Sequence, residues 1–296
     1  MTYHVRHSTR YDYSETVPIC YNRAYLTPRD TTNQRVGAHR VEVMPVTALF
    51  GAPRMDYFGN EVSYFTVQEP HNSLEITLIA AVDTRAPEPV SFSAAPPWET
   101  VPADIAVARD MRTLNAYQFT FDSRFVSPAP ILRAYALPSF VSGRPLLDAV
   151  MDLTSRINRD FTYDPTATTV STPLKEVMEK RRGVCQDFAH LEIGCLRSLG
   201  LAARYVSGYI YSGDSAGTPY LTGAQASHAW LAVYSPQHGW VDFDPTNNIV
   251  PGNQHITLAW GRDYDDVSPV RGVVLGGGEH TISVSVTITC DGDAPA

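Results

Sequence analysis

The chain has 296 residues, 44% hydrophobic and 18% charged, with 23 Lys and Arg against 31 Asp and Glu for a formal net charge of −8. That length exceeds one ordinary core of about 100–150 residues and predicts two domains, while the acidic balance lacks the basic footprint of phosphate-backbone binding and excludes nucleic acid as the expected partner. The amino-terminal MTYHVRHSTRYDYSE is too charged for a secretory signal, no stretch approaches the ~20 apolar residues of a membrane span, and four cysteines are too few for a disulfide scaffold. A cytoplasmic chain with reduced thiols and no membrane partner is expected, although a Cys20–Cys290 bridge stays compatible with the sequence.

In YHVRHSTRYDY, Tyr3, Val5, His7, Thr9, Tyr11 and Tyr13 alternate with His4, Arg6, Ser8, Arg10 and Asp12, the period of a strand with two different faces. HRVEVMPV, EVSYFTVQE and SLEITLIAAV read as further strands, and Gly59-Asn60 supplies a turn before EVSYFTV. Residues 1–95 are therefore expected to form an antiparallel β-sandwich-like domain, closed off by the prolines of APEPVSFSAAPPWETVP. Residues 96–144 read as a connecting segment, and 145–296 as a second, α+β domain that includes the tail strand.

Within that second domain, Leu146, Leu147, Val150, Leu153 and Ile157 recur at helical spacing after Pro145. A short helix is expected over 173–180, and Phe188, Leu191, Cys195 and Leu199 mark the stripe of the next one, with Gly200 as its carboxy-terminal cap. Strands follow at about 202–211, 228–235 and 239–244, and HTISVSVTIT predicts a last strand with one buried face.

The two cysteines of RRGVCQDFAHLEIGCLRSLG sit in different chemistry. Cys185 follows Gly183 and opens the helix, where exposed N–H groups and the positive end of the dipole stabilise a thiolate, and Arg181 and Arg182 add charge nearby. Cys195 lies mid-helix on the apolar stripe and reads as an inert packing residue. A thiolate needs a base and the base an orienting group; His228 begins one strand and Asp244 ends the next, in the chain order nucleophile, imidazole, carboxylate. A zinc site from Cys185, His190 and Cys195 fails, because on one helix these residues point about 140° and 280° apart.

GVCQDFAHL, LGLAARYVSGY, SHAWLAVY and GWVDFDPTNN together resemble the motif blocks of the transglutaminase-like superfamily, relatives of the papain-like cysteine proteases. YHVRHSTRYDY, DYFGNEVSYF and GRDYDDVSPVRGV resemble its bacterial subgroup with an N-terminal β domain, so the likeness covers nearly the whole chain. It implies an N-terminal sandwich followed by a papain/transglutaminase-like α+β catalytic domain, and a Cys185–His228–Asp244 triad working through a thioester on an amide of a protein or peptide. Hydrolysis by a peptidase or amidase is the expected outcome, transfer to an amine by a protein-glutamine transglutaminase the alternative, and a non-catalytic binding module the second. No cofactor or metal is expected, and no loop of alternating carboxylates suggests calcium.

Two positions depart from the family pattern. Gln186 follows the nucleophile where animal transglutaminases carry Trp, and Glu179 stands where papain-like enzymes place an oxyanion glutamine. The second oxyanion donor is thus open, with Tyr163, Gln186 and Trp230 as candidate cleft residues beside the Cys185 N–H. Trp240, Tyr209 and Tyr211 either flank the cleft or fill the space between helix and sheet, and Asp263, Asp265 and Asp266 either favour a cationic substrate or form a solvated charge run.

The parity of the Tyr234–Trp240 hairpin decides which carboxylate orients His228. An odd loop sets Asp244 diagonal to His228, about 7–8 Å between backbones, and leaves Asp242 opposite Ala232 and out of reach; an even loop would put His228 and Asp244 on opposite faces.

Overall fold

In the computed structural model, which describes residues 1–213, 221–223 and 227–291, the first 84 residues form seven strands. They are β1 (Thr2–Val17), β2 (Ile19–Ala24), β3 (Gln34–Met44), β4 (Leu49–Phe50), β5 (Arg54–Met55), β6 (Glu61–Val67) and β7 (His71–Thr84). The alternation of β1 is realised: Tyr3, Val5, His7 and Thr9 are buried, His4, Arg6 and Arg10 exposed. The Gly59-Asn60 turn also forms, with Gly59 at φ 74° and the Asp56 carboxylate accepting the Phe58 and Asn60 N–H groups at 2.8 Å each.

Next come α1 (Val101–Val107), α2 (Met111–Tyr117), α3 (Pro130–Ala136), α4 (Leu146–Asp160), β8 (Thr162–Tyr163), α5 (Leu174–Lys180), β9 (Arg182–Gly183) and α6 (Cys185–Arg197). The chain continues through β10 (Ala203–Ile210), β11 (His228–Ser235), β12 (Gly239–Phe243), β13 (His255–Gly261) and α7 (Tyr264–Val267), then ends in β14 (Val270–Leu275) and β15 (His280–Cys290). The fold class is α+β, as expected. Helix α6 is buried on every side from Asp187 to Arg197 and packs on an antiparallel sheet of order β12-β11-β10-β13.

Two segments differ from the sequence expectation. The stretch 96–144 is no bare connection: α1, α2 and α3 bury Ile105, Ala116, Leu132 and Ala136 in the common core. Seven-residue helices between prolines carry too few turns to show a stripe. The tail, expected with the second domain, returns to the first, since β15 pairs with β1 and β14 with β2, giving sheets of order β15-β1-β7-β3 and β14-β2-β6-β4 with β5 on β6. Because β15 is an edge strand, its apolar alternation extends past the core; Val286 and Ile288 are half-buried, but Ile282 and Val284 are 55% and 49% exposed.

The N-terminal sheets close the open edge of the second domain's sheet with side-chain amides. Gln34 donates to the Thr257 carbonyl and accepts from the Thr257 N–H, both at 2.8 Å. Asn60 does the same with Trp260, donating at 2.9 Å and accepting at 3.0 Å. Each amide stands in for the peptide of a neighbouring strand, so β13 is covered on its free side without a β ladder. His7 Nδ1 and the Tyr209 hydroxyl, 2.7 Å apart and buried, add a contact between β1 and β10.

Between α4 and α6 lies a fully buried carboxyl, Glu192, which accepts a 2.7 Å bond from the Thr154 hydroxyl while its second oxygen has no partner among the described residues. Burial, assisted by the charge of Asp244 and opposed by Thr154, pushes its pKa up to about 8. The unfolded chain ionises this group near 4.5, so between that pH and about 8 the folded state carries the extra proton and stability falls as pH rises. Glu192→Gln removes the titration: its urea midpoint is expected to gain on the parent steadily from pH 5 to pH 8, and midpoints that stay parallel over this range would contradict a protonated Glu192.

Candidate active site

The start of α6 is built by three constraints. Arg181 takes a left-handed conformation (φ 54°) that ends α5, and β9 then runs parallel to β8, with Tyr163 opposite Gly183. The Asp187 carboxylate folds back to accept the Val184 N–H at 2.8 Å and the Thr168 hydroxyl at 2.6 Å. Only glycine fits at 183, because a Cβ there would lie 2.6 Å from that carboxylate oxygen. The helix therefore opens at Cys185, whose N–H, like that of Gln186, has no acceptor inside the helix. Burial raises the Asp187 pKa against its two hydrogen bonds.

The cysteines separate by environment. Cys185 is half-buried at the helix start, whereas Cys195 is fully buried, and burial, then the Glu192 charge, push its thiol well above the usual range. Cys20 is a buried cysteine outside any disulfide, so the possible bridge from it to Cys290 is not made. The two arginines expected to lend charge to Cys185 are engaged elsewhere: Arg181 lies over the Tyr135 and Phe161 rings, and Arg182 faces Asp164 at 3.6 Å.

The β11–β12 hairpin has the odd register. Tyr234 pairs with Trp240 and Ser235 with Gly239, which takes φ 73° after a three-residue loop. His228 and Asp244 consequently lie on one face, and His228 Nε2 donates to Asp244 Oδ2 at 2.8 Å with both side chains fully buried. Asp242, opposite Ala232, accepts the Trp230 indole N–H at 3.1 Å and does not touch the imidazole.

Asp244 carries more donors than the sequence revealed. Oδ1 accepts the N–H groups of Thr246 and Asn247 at 2.9 and 3.2 Å; Oδ2 accepts the Asn247 amide at 2.8 Å and faces His255 Nε2 at 3.3 Å. Although burial alone would favour the neutral acid, the charge and hydrogen bond of His228, with those of His255, hold this carboxyl well below the usual range. His228, Asp244 and His255 have donor atoms within 4.8 Å, close enough to hold a cation, but N–H groups already occupy the carboxylate, which makes the cluster a hydrogen-bonded one.

Burial opposes the charged form of His228, yet the charge and hydrogen bond of Asp244 outweigh it, and Cys185 adds to them, raising the pKa to about 10. With Nε2 engaged by Asp244, Nδ1 is the ring atom left for Cys185; it is buried and meets no nitrogen or oxygen partner among the described residues. The structure thus brings Cys185, His228 and Asp244 together from α6, β11 and the end of β12.

The other candidate residues fare differently. Trp230 is fully buried and gives its indole N–H, the only side-chain donor it has, to Asp242, so it is a wall behind His228 and not a cleft or oxyanion donor. Gln186 donates to the Val170 carbonyl at 3.3 Å, and Tyr163, 37% exposed, stands beside β9 with its ring against Phe188. Tyr209 is core. His190 is buried, accepts the Tyr264 N–H at 3.1 Å, and has its pKa pushed down to about 3 by burial. The GRDYDD acids are paired: Asp263 accepts the Phe125 N–H, Asp265 meets Arg124 and Arg271, and Asp266 meets Arg262. Sequence reasoning missed His255, Asn247 and Thr246; the DPTNN run after β12 was a signal for the last two, whereas nothing local marks His255.

Residues 3–83 match the bacterial transglutaminase-like N-terminal region, and residues 136–245 match the core of the transglutaminase-like superfamily. A Mycobacterium tuberculosis protein of uncharacterized function is 42% identical over 99% of this chain and 94% of its own length. A protein-glutamine gamma-glutamyltransferase from Pseudomonas aeruginosa is 32% identical over 34% of this chain and 16% of its own. A candidate cysteine protease of known structure from Cytophaga hutchinsonii shares the fold with a TM-score of 0.73 at 21% identity, over 98% of this chain and 90% of its own. The chain belongs to the transglutaminase-like superfamily, in the bacterial branch whose core follows an N-terminal β region.

Proposed function

We propose that the protein is a cysteine-dependent amide hydrolase acting on a protein or peptide through a thioester acyl-enzyme. The observation that carries this reading is the convergence of Cys185 on an imidazole anchored by a buried, ionised Asp244. In the proposed cycle the Cys185 thiol gives its proton to His228, the sulfur attacks the amide carbonyl carbon, the C–N bond breaks, and the leaving nitrogen takes that proton from His228. Water then adds to the thioester, giving its proton to His228, and the carboxylic acid leaves as the thiol is regained. The Cys185 N–H at the helix start would receive the developing oxyanion.

Transfer to an amine is the rival, favoured by the partial likeness to a protein-glutamine gamma-glutamyltransferase. Hydrolysis is preferred because the residue after the nucleophile is Gln186, hydrogen-bonded to Val170, and because Trp230 is buried behind the site; neither is placed to keep water from the thioester. Incubating the protein with casein and a labelled primary amine decides between them: free acid should exceed amine incorporation, and Cys185→Ala should abolish both. Incorporation outrunning acid release would establish a transferase, and activity surviving Cys185→Ala would remove the thiol mechanism.

Iodoacetamide near neutral pH should label Cys185 ahead of Cys195 and Cys20, which are buried; peptide mapping with Cys195 labelled first would oppose the assignment. Replacing Asp244 by Asn removes the charge that raises the His228 pKa to about 10, so the imidazolium should be lost at lower pH. The alkaline limb of the rate profile is expected to move down by more than about one unit and kcat to fall on the order of 10³-fold. Asp242→Asn should leave that limb in place, since Asp242 binds Trp230 and not His228.

A further inference from the structure

Asp244 is served by a second imidazole that plays no part in the cycle above. His255 is the first residue of β13, is 7% exposed, and directs Nε2 at Asp244 Oδ2, the oxygen that also holds His228. An ionised carboxylate only accepts, so the His255 ring must donate from Nε2. Its Nδ1 is buried with no hydrogen-bond partner among the described residues, so the bond from Nε2 to Asp244 is the one side-chain hydrogen bond found for this ring.

The backbone is shaped to put this ring there. Tyr205, Val206 and Ser207 of β10 face Gly261, Trp260 and Ala259 in regular order, but Gly208 faces Thr257 and Ile210 faces His255, so β13 contains one extra residue. Side chains alternate with period two, and without this bulge Ile210 would face Ile256, leaving His255 on the opposite side of the sheet from His228 and Trp230. Gly208 separates the pairing sites of His228 and Thr257, and a Cβ there would lie 2.5 Å from the Trp230 ring. That ring lies near-parallel to His228, with centroids 6.0 Å apart, and meets His255 edge-on at 5.1 Å, filling the wall between the two imidazoles.

We propose that His255 is a positioning residue for the reaction: it donates its Nε2–H to Asp244, fixes the carboxylate plane, and so sets the direction in which His228 presents Nδ1 to Cys185. The inference rests on the hydrolase reading for its kinetic consequence, but not for the hydrogen bond itself. Without His255 the carboxylate keeps its bonds to Thr246, Asn247 and His228 but loses the restraint from the β13 side.

The test uses the full chain with His255→Phe, which keeps a ring and removes the donor, and His255→Gln, which offers an amide N–H without titrating. With a glutamine-containing peptide, His255→Phe should lower kcat roughly tenfold to a hundredfold with KM within about twofold, and His255→Gln should recover most of the loss. Proton NMR should show two downfield ring N–H signals in the parent, the His228 signal persisting in His255→Gln and shifted or broadened in His255→Phe. Parent-like kcat and an unmoved His228 signal in His255→Phe would overturn the proposal. So would equal kcat losses in the two variants with matching falls in melting temperature, which would mark His255 as a packing residue. If Cys185→Ala keeps its amidase activity the hydrolase reading falls, and the NMR signals still decide whether His255 holds Asp244.

Discussion

The Asp244 carboxylate is fully buried, and a buried carboxylate is tolerated only when its oxygens are filled with donors. Filling them requires the turn after β12 for two backbone N–H groups, the Asn247 side chain, and one imidazole each from β11 and β13. Those requirements tie the hairpin register, the β13 bulge and the DPTNN turn to one point at the end of the sheet. Loss of any one donor leaves part of an ion exposed to a low-dielectric interior, so the geometry around His228 is set by the energetics of Asp244 as much as by the needs of chemistry.

The N-terminal sheets matter to this site through β13. The strand that carries His255 is the edge of its sheet, and an uncovered edge would be free to fray or to pair with another chain. Gln34 and Asn60 hold that edge at Thr257 and Trp260, and Thr84 reaches the Asn253 carbonyl at 2.7 Å just before His255. The tail strands β14 and β15 pair with β2 and β1, so the chain returns to the N-terminal sheets after completing the sheet that carries His228.

The thiol is selected by place. Cys185 shares the first turn of α6 with a buried Asp187, which closes that turn on the Val184 N–H and leaves the next two amides free. Cys195, ten residues on, has the same functional group in a dry core beside Glu192, where neither base nor solvent reaches it.

Local sequence determined what short-range physics controls: the alternation that makes β1, the proline and stripe that make α4, the glycine-led helix start that displays Cys185, and the spacing of His228 and Asp244 on consecutive strands. The odd hairpin was also legible, because a period of two makes parity a statement about faces. Tertiary structure alone decided the rest. Trp230 looks like a cleft aromatic until Asp242 is seen to take its N–H, and the arginines before Cys185 look like its partners until Tyr135, Phe161 and Asp164 claim them. His255 lies 27 residues past His228, and its face depends on one bulged residue in a pairing with β10 that no local pattern encodes. Contacts between segments far apart in the chain depend on which backbone groups are left unpaired once every sheet has formed, and that is a property of the whole fold.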